Sequence, residues 1–197
     1  MAQLDEILIE EAKQNPAVFD ELVLRYQDRL YNFLYRMTGN REDAQDLTQE
    51  AFLRIFKALD RFRSGAPFLP WMYKIAMNLA INHQKGRNRT TPLEDDVPTT
   101  SLFSSPESVT EQREAQRHIS KAIMELPADY RAVILLRHGD ELSYEEITQV
   151  LEIPLGTTKV RLHRARMLLQ QKLRAAGIRT GDHELQRSPK APTTVPG

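Results

Sequence analysis

Between Phe19 and Met37 the chain places Phe19, Leu22, Val23, Tyr26, Leu30, Phe33, Leu34 and Met37 at steps of three and four. That is the period of a helix with one apolar side, and it conflicts with the alternation a half-buried strand needs. The stripe stops at Gly39-Asn40. A second helix follows, with Asn40 as its N-cap and Glu42 and Asp43 in the first turn, where the positive end of the helix dipole favours acids. Its buried stripe is Ala44, Leu47, Ala51, Ile55 and Leu59, and its opposite face carries Asp46, Gln49, Glu50, Leu53 and Lys57. After the turn from Arg63 to Pro67, a third helix is expected to open near Pro70-Trp71 and run to about Lys85. Its apolar side is Met72, Ile75, Ala76 and Leu79, and Lys74, Asn78 and Asn82 form a polar stripe at steps of four.

From Arg87 to Thr110 the composition shifts to Thr, Ser, Pro and Asp without periodicity, which reads as a linker. Helical patterning resumes at Glu111, breaks at Leu126-Pro127 and continues to Arg137. Ser143 and Glu146 then make a capping box that starts a short helix, and Pro154-Leu155-Gly156 separates it from a last one. The expected fold is all-α: two small helical domains joined by a flexible linker, the second a helix-turn-helix. The boundaries are 1–88, a linker at 89–110, 111–177, and a tail at 178–197 whose Thr, Pro and Gly content favours disorder.

Charge is distributed in blocks although it sums to zero. Residues 1–60 hold seven basic and twelve acidic side chains, and 91–158 hold five and thirteen; 61–90 hold six basic and 159–179 seven basic, with no acid in either. Two positive islands on an acidic chain suit two separate phosphate-facing surfaces. The absence of cysteine excludes disulfides, thiol catalysis and cysteine-bound zinc, and the five histidines are never three to five residues apart, so neither a metal nor a cofactor is expected. No nucleophile, base and oxyanion pattern points to an enzyme. The start lacks the features of a signal peptide and no long apolar run occurs, so no membrane insertion and a cytoplasmic location are expected.

In the last helix Thr158, Leu162, Ala165 and Leu169 step by four, three and four and belong to the core. Val160, His163, Arg164 and Met167 then lie on the far side, flanked by Lys159 and Arg161. A basic surface helix would show the same periodicity; the capped partner helix and the missing acids favour a helix-turn-helix reading the major groove. Arg164 suits guanine O6 and N7, Lys159 base or phosphate, and Val160 a thymine methyl, whereas Arg161 and Arg166 would position rather than specify. The other island carries Tyr73, Lys74, Asn78 and Asn82, aromatic and amide groups that suit unpaired bases, with Lys85, Arg87 and Arg89 to hold phosphates. Trp71 reads better as a core anchor. Asp46, Gln49, Glu50 and Leu53 set one exposed leucine among polar groups, a weak sign of a protein contact.

The segments DAQDLTQEAFLRIF (43–56), PFLPWMYKIAMNLAINH (67–83), LPADYRAVILLRHGDELSYEEI (126–147) and IPLGTTKVRLHRAR (153–166) together resemble the extracytoplasmic-function group of bacterial sigma factors, over roughly residues 17–173. The resemblance implies that Asp46, Gln49, Glu50 and Leu53 dock on the clamp helices of the largest subunit of core RNA polymerase, with the flap of the second-largest subunit as a further contact. It implies that Tyr73, Lys74, Asn78 and Asn82 meet the opened -10 element, and that Thr157, Lys159, Val160, Arg161, His163 and Arg164 read the -35 element of promoter DNA. It also implies control by an anti-sigma factor. Met77, Glu152, Thr158 and Val160 depart from the usual pattern; Glu152 stands where the turn often has glycine, which leaves the turn possible at a conformational cost. A linker of about 24 residues spans roughly 25 to 30 Å as a coil and roughly 80 Å fully extended. Promoter elements about 17 base pairs apart lie roughly 58 Å apart, so polymerase has to hold the domains apart and the free chain should bind promoter DNA poorly. The competing reading is a stand-alone helix-turn-helix repressor or activator, which has no reason to carry the 43–56 helix.

Overall fold

The computed structural model describes residues 2–87 and 111–177; the expected linker and tail, and the side chain of Arg87, lie outside the described residues. Within them every regular element is helical. The first half comprises α1 (Ala2–Gln14), α2 (Phe19–Thr38), α3 (Arg41–Ala58) and α4 (Phe68–Arg87). The second comprises α5 (Glu111–Met124), α6 (Ala128–Ile134), α7 (Tyr144–Leu151) and α8 (Leu155–Ala175).

Local chemistry sets the boundaries. α2 ends where Gly39 takes a left-handed conformation (φ 75°) and returns its N–H to the Tyr35 carbonyl at 2.7 Å. Asn40 then caps α3, its side-chain oxygen accepting from the Asp43 N–H at 3.0 Å. α4 begins at Phe68, two residues earlier than expected, because first-turn N–H groups have no partner inside a helix and Pro70 fits there without cost. The same reasoning moves the start of α8. The expected break at Pro154-Leu155-Gly156 lies at Glu152 to Pro154, and Leu155 and Gly156 already belong to the first turn of α8. Glu152 adopts φ 53°, the left-handed conformation that glycine would take more easily. The capping box is present in full: the Ser143 hydroxyl accepts from the Glu146 N–H at 3.2 Å, and the Glu146 carboxylate accepts from the Ser143 N–H at 2.7 Å.

α2, α3 and α4 pack around Leu22, Leu30, Leu34, Met37, Ala44, Ala51, Ile55 and Met72, all buried. Removing side chains of this size from water contributes about 1.5 to 3 kcal/mol each. α1, absent from the sequence reading, joins them through Leu8, Ile9 and Ala12, and Asp5 anchors it by accepting from Arg25 at 2.8 Å and Tyr26 at 2.6 Å. Burial beside Asp5 raises the Tyr26 hydroxyl well above the usual tyrosine range, so it stays a donor. Trp71 is an anchor of the loop before α4, its ring 4.7 Å from Phe62 and 5.9 Å from Phe68. In the second half α8 lays Leu162, Ala165, Leu169 and Leu173 on α5 and α6, and Ile147 and Val150 of α7 close the side.

The two halves are not separate bodies linked only through the chain. α4 packs against α7, α2 touches α5 and α6, and one apolar cluster runs through both halves. Arg131 of α6 donates to the Met37 carbonyl at the end of α2 at 2.7 Å, placing a cation where a helix C-terminus exposes carbonyls.

Candidate nucleic-acid interface

α8 rests on α7 through a buried polar contact. Thr158 is fully buried, its hydroxyl 3.1 Å from that of Thr148 and 3.3 Å from the Pro154 carbonyl, so the residue that departs from the expected pattern is satisfied rather than stranded. With Thr158, Leu162, Ala165 and Leu169 held inward, helical geometry turns Lys159, His163 and Arg164 to solvent, together with Val160 and Met167, which are 51% and 56% exposed. Thr157 is exposed in the first turn. These five expected residues, Thr157, Lys159, Val160, His163 and Arg164, therefore share one accessible region. Arg161 differs: it is partly buried and lies 3.4 Å from Asp129 of α6, so its charge is partly answered inside the protein. Arg166 also turns inward, donating to His138 Nε2 at 3.2 Å. Burial, with Arg166 and Arg137 nearby, lowers the His138 pKa to about 4 and keeps that ring neutral as the acceptor.

The polar stripe of α4 is divided. Asn78, Asn82 and Lys85 are exposed. Lys74 is half-covered and its ammonium lies 2.7 Å from the Glu152 carboxylate in the turn before α8. Tyr73 departs from its expected place: it is fully buried, its ring set edge-on to Phe33 at 5.0 Å and its hydroxyl donating to Asp140, which the connector between α6 and α7 carries. Its place one step from the polar stripe suggests an outward ring, but the face it occupies is covered by the second half of the chain.

α3 presents Asp46, Gln49 and Leu53 to solvent, with Glu50 half-buried and bonded to Arg54 at 2.6 Å. Leu53 is 54% exposed, and the sequence reading missed its neighbour Phe56, 42% exposed. Both border a groove of about 560 Å³ between α2 and α3, floored by Phe19 and Phe52. Phe19 lies 5.1 Å from the Phe56 ring and 6.4 Å from Phe52. The signal available in the sequence was the triplet spacing of Leu53 and Phe56, which places two apolar side chains together on a face otherwise polar.

Known proteins resemble this chain in sequence and in fold. The family description "Sigma-70 region 2" matches residues 22–90 and "Sigma-70, region 4" matches 116–169. The ECF RNA polymerase sigma factor SigW of Bacillus subtilis is 37% identical over 172 residues, covering 82% of this chain and 92% of that one. The ECF RNA polymerase sigma-E factor of Escherichia coli is 34% identical over 180 residues, covering 86% and 94%. In fold, the chain is similar to CnrH, solved in complex with the cytosolic domain of CnrY, with TM-score 0.67 and 24% identity over 87% of this chain and 97% of that one. It is equally similar to the sigma factor RpoE of Bartonella quintana, solved with the anti-sigma factor NepR, at TM-score 0.67 and 23% identity over 79% and 96%. The chain belongs to the extracytoplasmic-function group of the sigma-70 family of RNA polymerase sigma factors.

Proposed function

We propose that this sigma factor directs core RNA polymerase to promoters by dividing recognition among three faces. Asp46, Gln49, Glu50 and Leu53, extended by Phe56, dock on the clamp helices of the largest subunit, the apolar pair filling a contact that the polar side chains orient. The second half of the chain meets the flap of the second-largest subunit. α8 enters the major groove at the -35 element, where Arg164 pairs with a guanine edge, Lys159 and Thr157 take phosphate or base, and Val160 and His163 touch neighbouring bases. Arg161 positions α8 on the backbone once it leaves Asp129. On α4, Asn78 and Asn82 hold unpaired bases of the opened -10 element, and Lys74, Lys85 and Arg87 follow its phosphates. Tyr73 joins them only when its cover is removed. Region 1–88 thus melts and captures, 111–177 reads duplex, and 89–110 connects them.

Bond-making belongs to the polymerase, and the protein acts by binding. Its place is the cytoplasm, with polymerase and DNA. An anti-sigma factor is a further partner, in keeping with the similar structure of RpoE solved in complex with the anti-sigma factor NepR. The observation that carries the reading is the projection of Lys159, Val160, His163 and Arg164 from a helix whose other face is wholly buried. Transcription in vitro with core polymerase over a genomic promoter library tests it: promoter-dependent initiation is expected, and its absence from every template overturns the assignment.

A further inference from the structure

We propose that α1 is a brace for strand capture: its Glu10 and Lys13 are positioning residues that hold the turn before α4, and with it Arg61 and Arg63, at the N-terminal end of the strand path. This rests on the reading of α4 given above.

α1 precedes the residues that match the region 2 description, 22–90. Its packing through Leu8, Ile9 and Ala12 explains why it stays on the bundle, but not why two of its polar side chains reach a loop 49 and 54 residues away. Lys13 donates to the Phe62 carbonyl at 3.0 Å and to the Glu10 carboxylate at 2.8 Å, and the same Glu10 oxygen accepts from the Ser64 hydroxyl at 2.5 Å. The hydrogen bonds from Lys13 and Ser64 hold the Glu10 carboxyl below the usual carboxylate range, so it stays an acceptor.

The loop needs holding. Phe62 is buried, its ring 4.7 Å from Trp71 and 6.0 Å from Phe68, and fixes one end; Phe68 starts α4 and fixes the other. Between them Arg63, Ser64, Gly65 and Pro67 are exposed. The Ala66 N–H donates to the Arg63 carbonyl at 3.1 Å, and Gly65 has φ 77°, the left-handed value that the third residue of a type II turn requires. Behind Gly65, Ala66 and Pro67 lies a cavity of about 390 Å³ bordered by Glu6, Ile9 and Tyr26, so the turn rests over open space rather than on packed side chains. Hydrogen bonds from α1 do there what packing does elsewhere.

What the turn carries gives the brace its purpose. Arg61 and Arg63 are exposed and have no ion-pair partner among the described residues. They open the basic island 61–90, which holds no acid and continues along α4 to Lys85. At 1.5 Å per residue α4 is roughly 30 Å long, so the two arginines set cations at one end of a path whose other end is Lys85. Glu10 is answered by Lys13 and Ser64, which leaves both arginines open to phosphate. A loop already fixed in its bound shape loses less freedom when a strand arrives.

Holoenzyme reconstituted with core polymerase tests the brace, on a promoter that it transcribes, with the non-template strand left unpaired over the -10 element. Removing an acid beside a phosphate path ordinarily strengthens binding; the brace requires the opposite. Glu10→Ala is expected to weaken the complex about fivefold, and Glu10→Gln, which still accepts from Ser64, to restore most of the affinity. Glu11→Ala, an exposed acid one residue away, should leave it unchanged or slightly stronger. Arg61→Gln together with Arg63→Gln should lower the slope of log affinity against log salt by about 1.4, the share of two single-strand phosphates. Adding Glu10→Ala to that pair should then weaken binding no further. In the free full-length chain Glu10→Ala should speed amide hydrogen exchange across 62–67 while α2 and α3 exchange as before. A gain of affinity in Glu10→Ala, a loss that Glu10→Gln does not recover, an equal loss with and without the arginines, or unaltered exchange across 62–67 overturns the brace. Any of these in a holoenzyme that initiates at its promoters leaves the sigma-factor reading standing; a holoenzyme that initiates nowhere removes that reading, and the brace with it.

Discussion

α4 and α8 are of nearly equal length, 20 and 21 residues, and neither contains an acid, yet they present their polar side chains in opposite ways. α8 buries one narrow stripe, flanked by the partly covered Arg161 and Arg166, and gives Thr157, Lys159, Val160, His163, Arg164 and Met167 to solvent, as the proposed entry into a groove requires. α4 is part of the core wall: Met72, Ala76 and Leu79 are buried on one side and Tyr73, Met77 and Ala80 beside them, leaving, among its described side chains, only Asn78, Asn82 and Lys85 freely accessible. A helix that reads duplex DNA projects and needs no cover. Under the proposed division, the helix that captures a strand lies in a wall, and whatever packs beside it decides whether it is available.

The largest effects test whether these helices belong to separable units. Ile55→Ala beneath the first half and Leu162→Ala beneath α8 each empty a fully buried site, and each should cost about 2 to 5 kcal/mol. In urea titrations followed by circular dichroism, Ile55→Ala should shift the transition of the first half and Leu162→Ala that of the second, because each half packs chiefly within itself and the contact of α4 with α7 is smaller than either core. A single transition displaced equally by both substitutions would merge α4 and α8 into one unit. At the next level, Arg164→Ala should lose about 1 to 3 kcal/mol at one base pair of the -35 element. Preference there should relax in a binding-site selection with holoenzyme, and affinity for single strands should stay unchanged. Unaltered proportions across all -35 variants would remove base reading from α8.

The α8 stripe was legible in the sequence because one face alone is buried and a period of 3.6 then shows plainly. The stripes of α2 and α3 were legible for the same reason, and Asn40 and the Ser143-Glu146 box announced their helices through chemistry confined to a few residues. Glu152 was readable as a costly turn only through the resemblance, whose pattern often has glycine there, because the residues alone put the break at Pro154-Leu155-Gly156. Tyr73 was not legible. Burial by a distant segment leaves no mark on local periodicity, and the partner that covers it, Asp140, is 67 residues away. Arg161 and Asp129 failed to show for the same reason. α1 carried its own signal in Leu8, Ile9 and Ala12, but a short stripe among acids has little contrast. Phe56 was hidden by its neighbour: Phe52 is buried and Phe56 half-exposed on the same side of the helix, a difference made by where α2 ends its contact rather than by the sequence of α3.

A smaller effect separates capture from docking. Asn78→Ala removes exposed amide hydrogen bonds worth about 0.5 to 1.5 kcal/mol. It should slow open-complex formation on duplex promoters, measured by permanganate footprinting, more than it weakens a pre-melted template. Equal loss on both would assign Asn78 to general docking and erase the functional contrast with α8.

The smallest effect concerns how α8 is held at its C-terminal end, away from the proposed DNA-reading residues. Lys172 meets Glu125, the residue after α5, at 2.9 Å, and both side chains reach solvent. The hydrogen bond from Lys172 holds the Glu125 carboxyl below the usual carboxylate range. A carboxyl with a depressed folded-state pKa contributes stability that is present above its unfolded value and disappears as pH falls through the folded one. Solvent screening and the cost of fixing two long side chains keep that contribution at about 0 to 1 kcal/mol. Glu125→Gln should therefore lower the urea midpoint of the second half slightly at pH 7, match the unsubstituted chain at pH 3, and lose its effect in high salt. The base preference of α8 should not move, because its reading end is fixed by Thr158, Leu162 and the contact with α7. A changed -35 preference in Glu125→Gln would show that α8 is set as a whole from its far end, and the local account of its projection would fail.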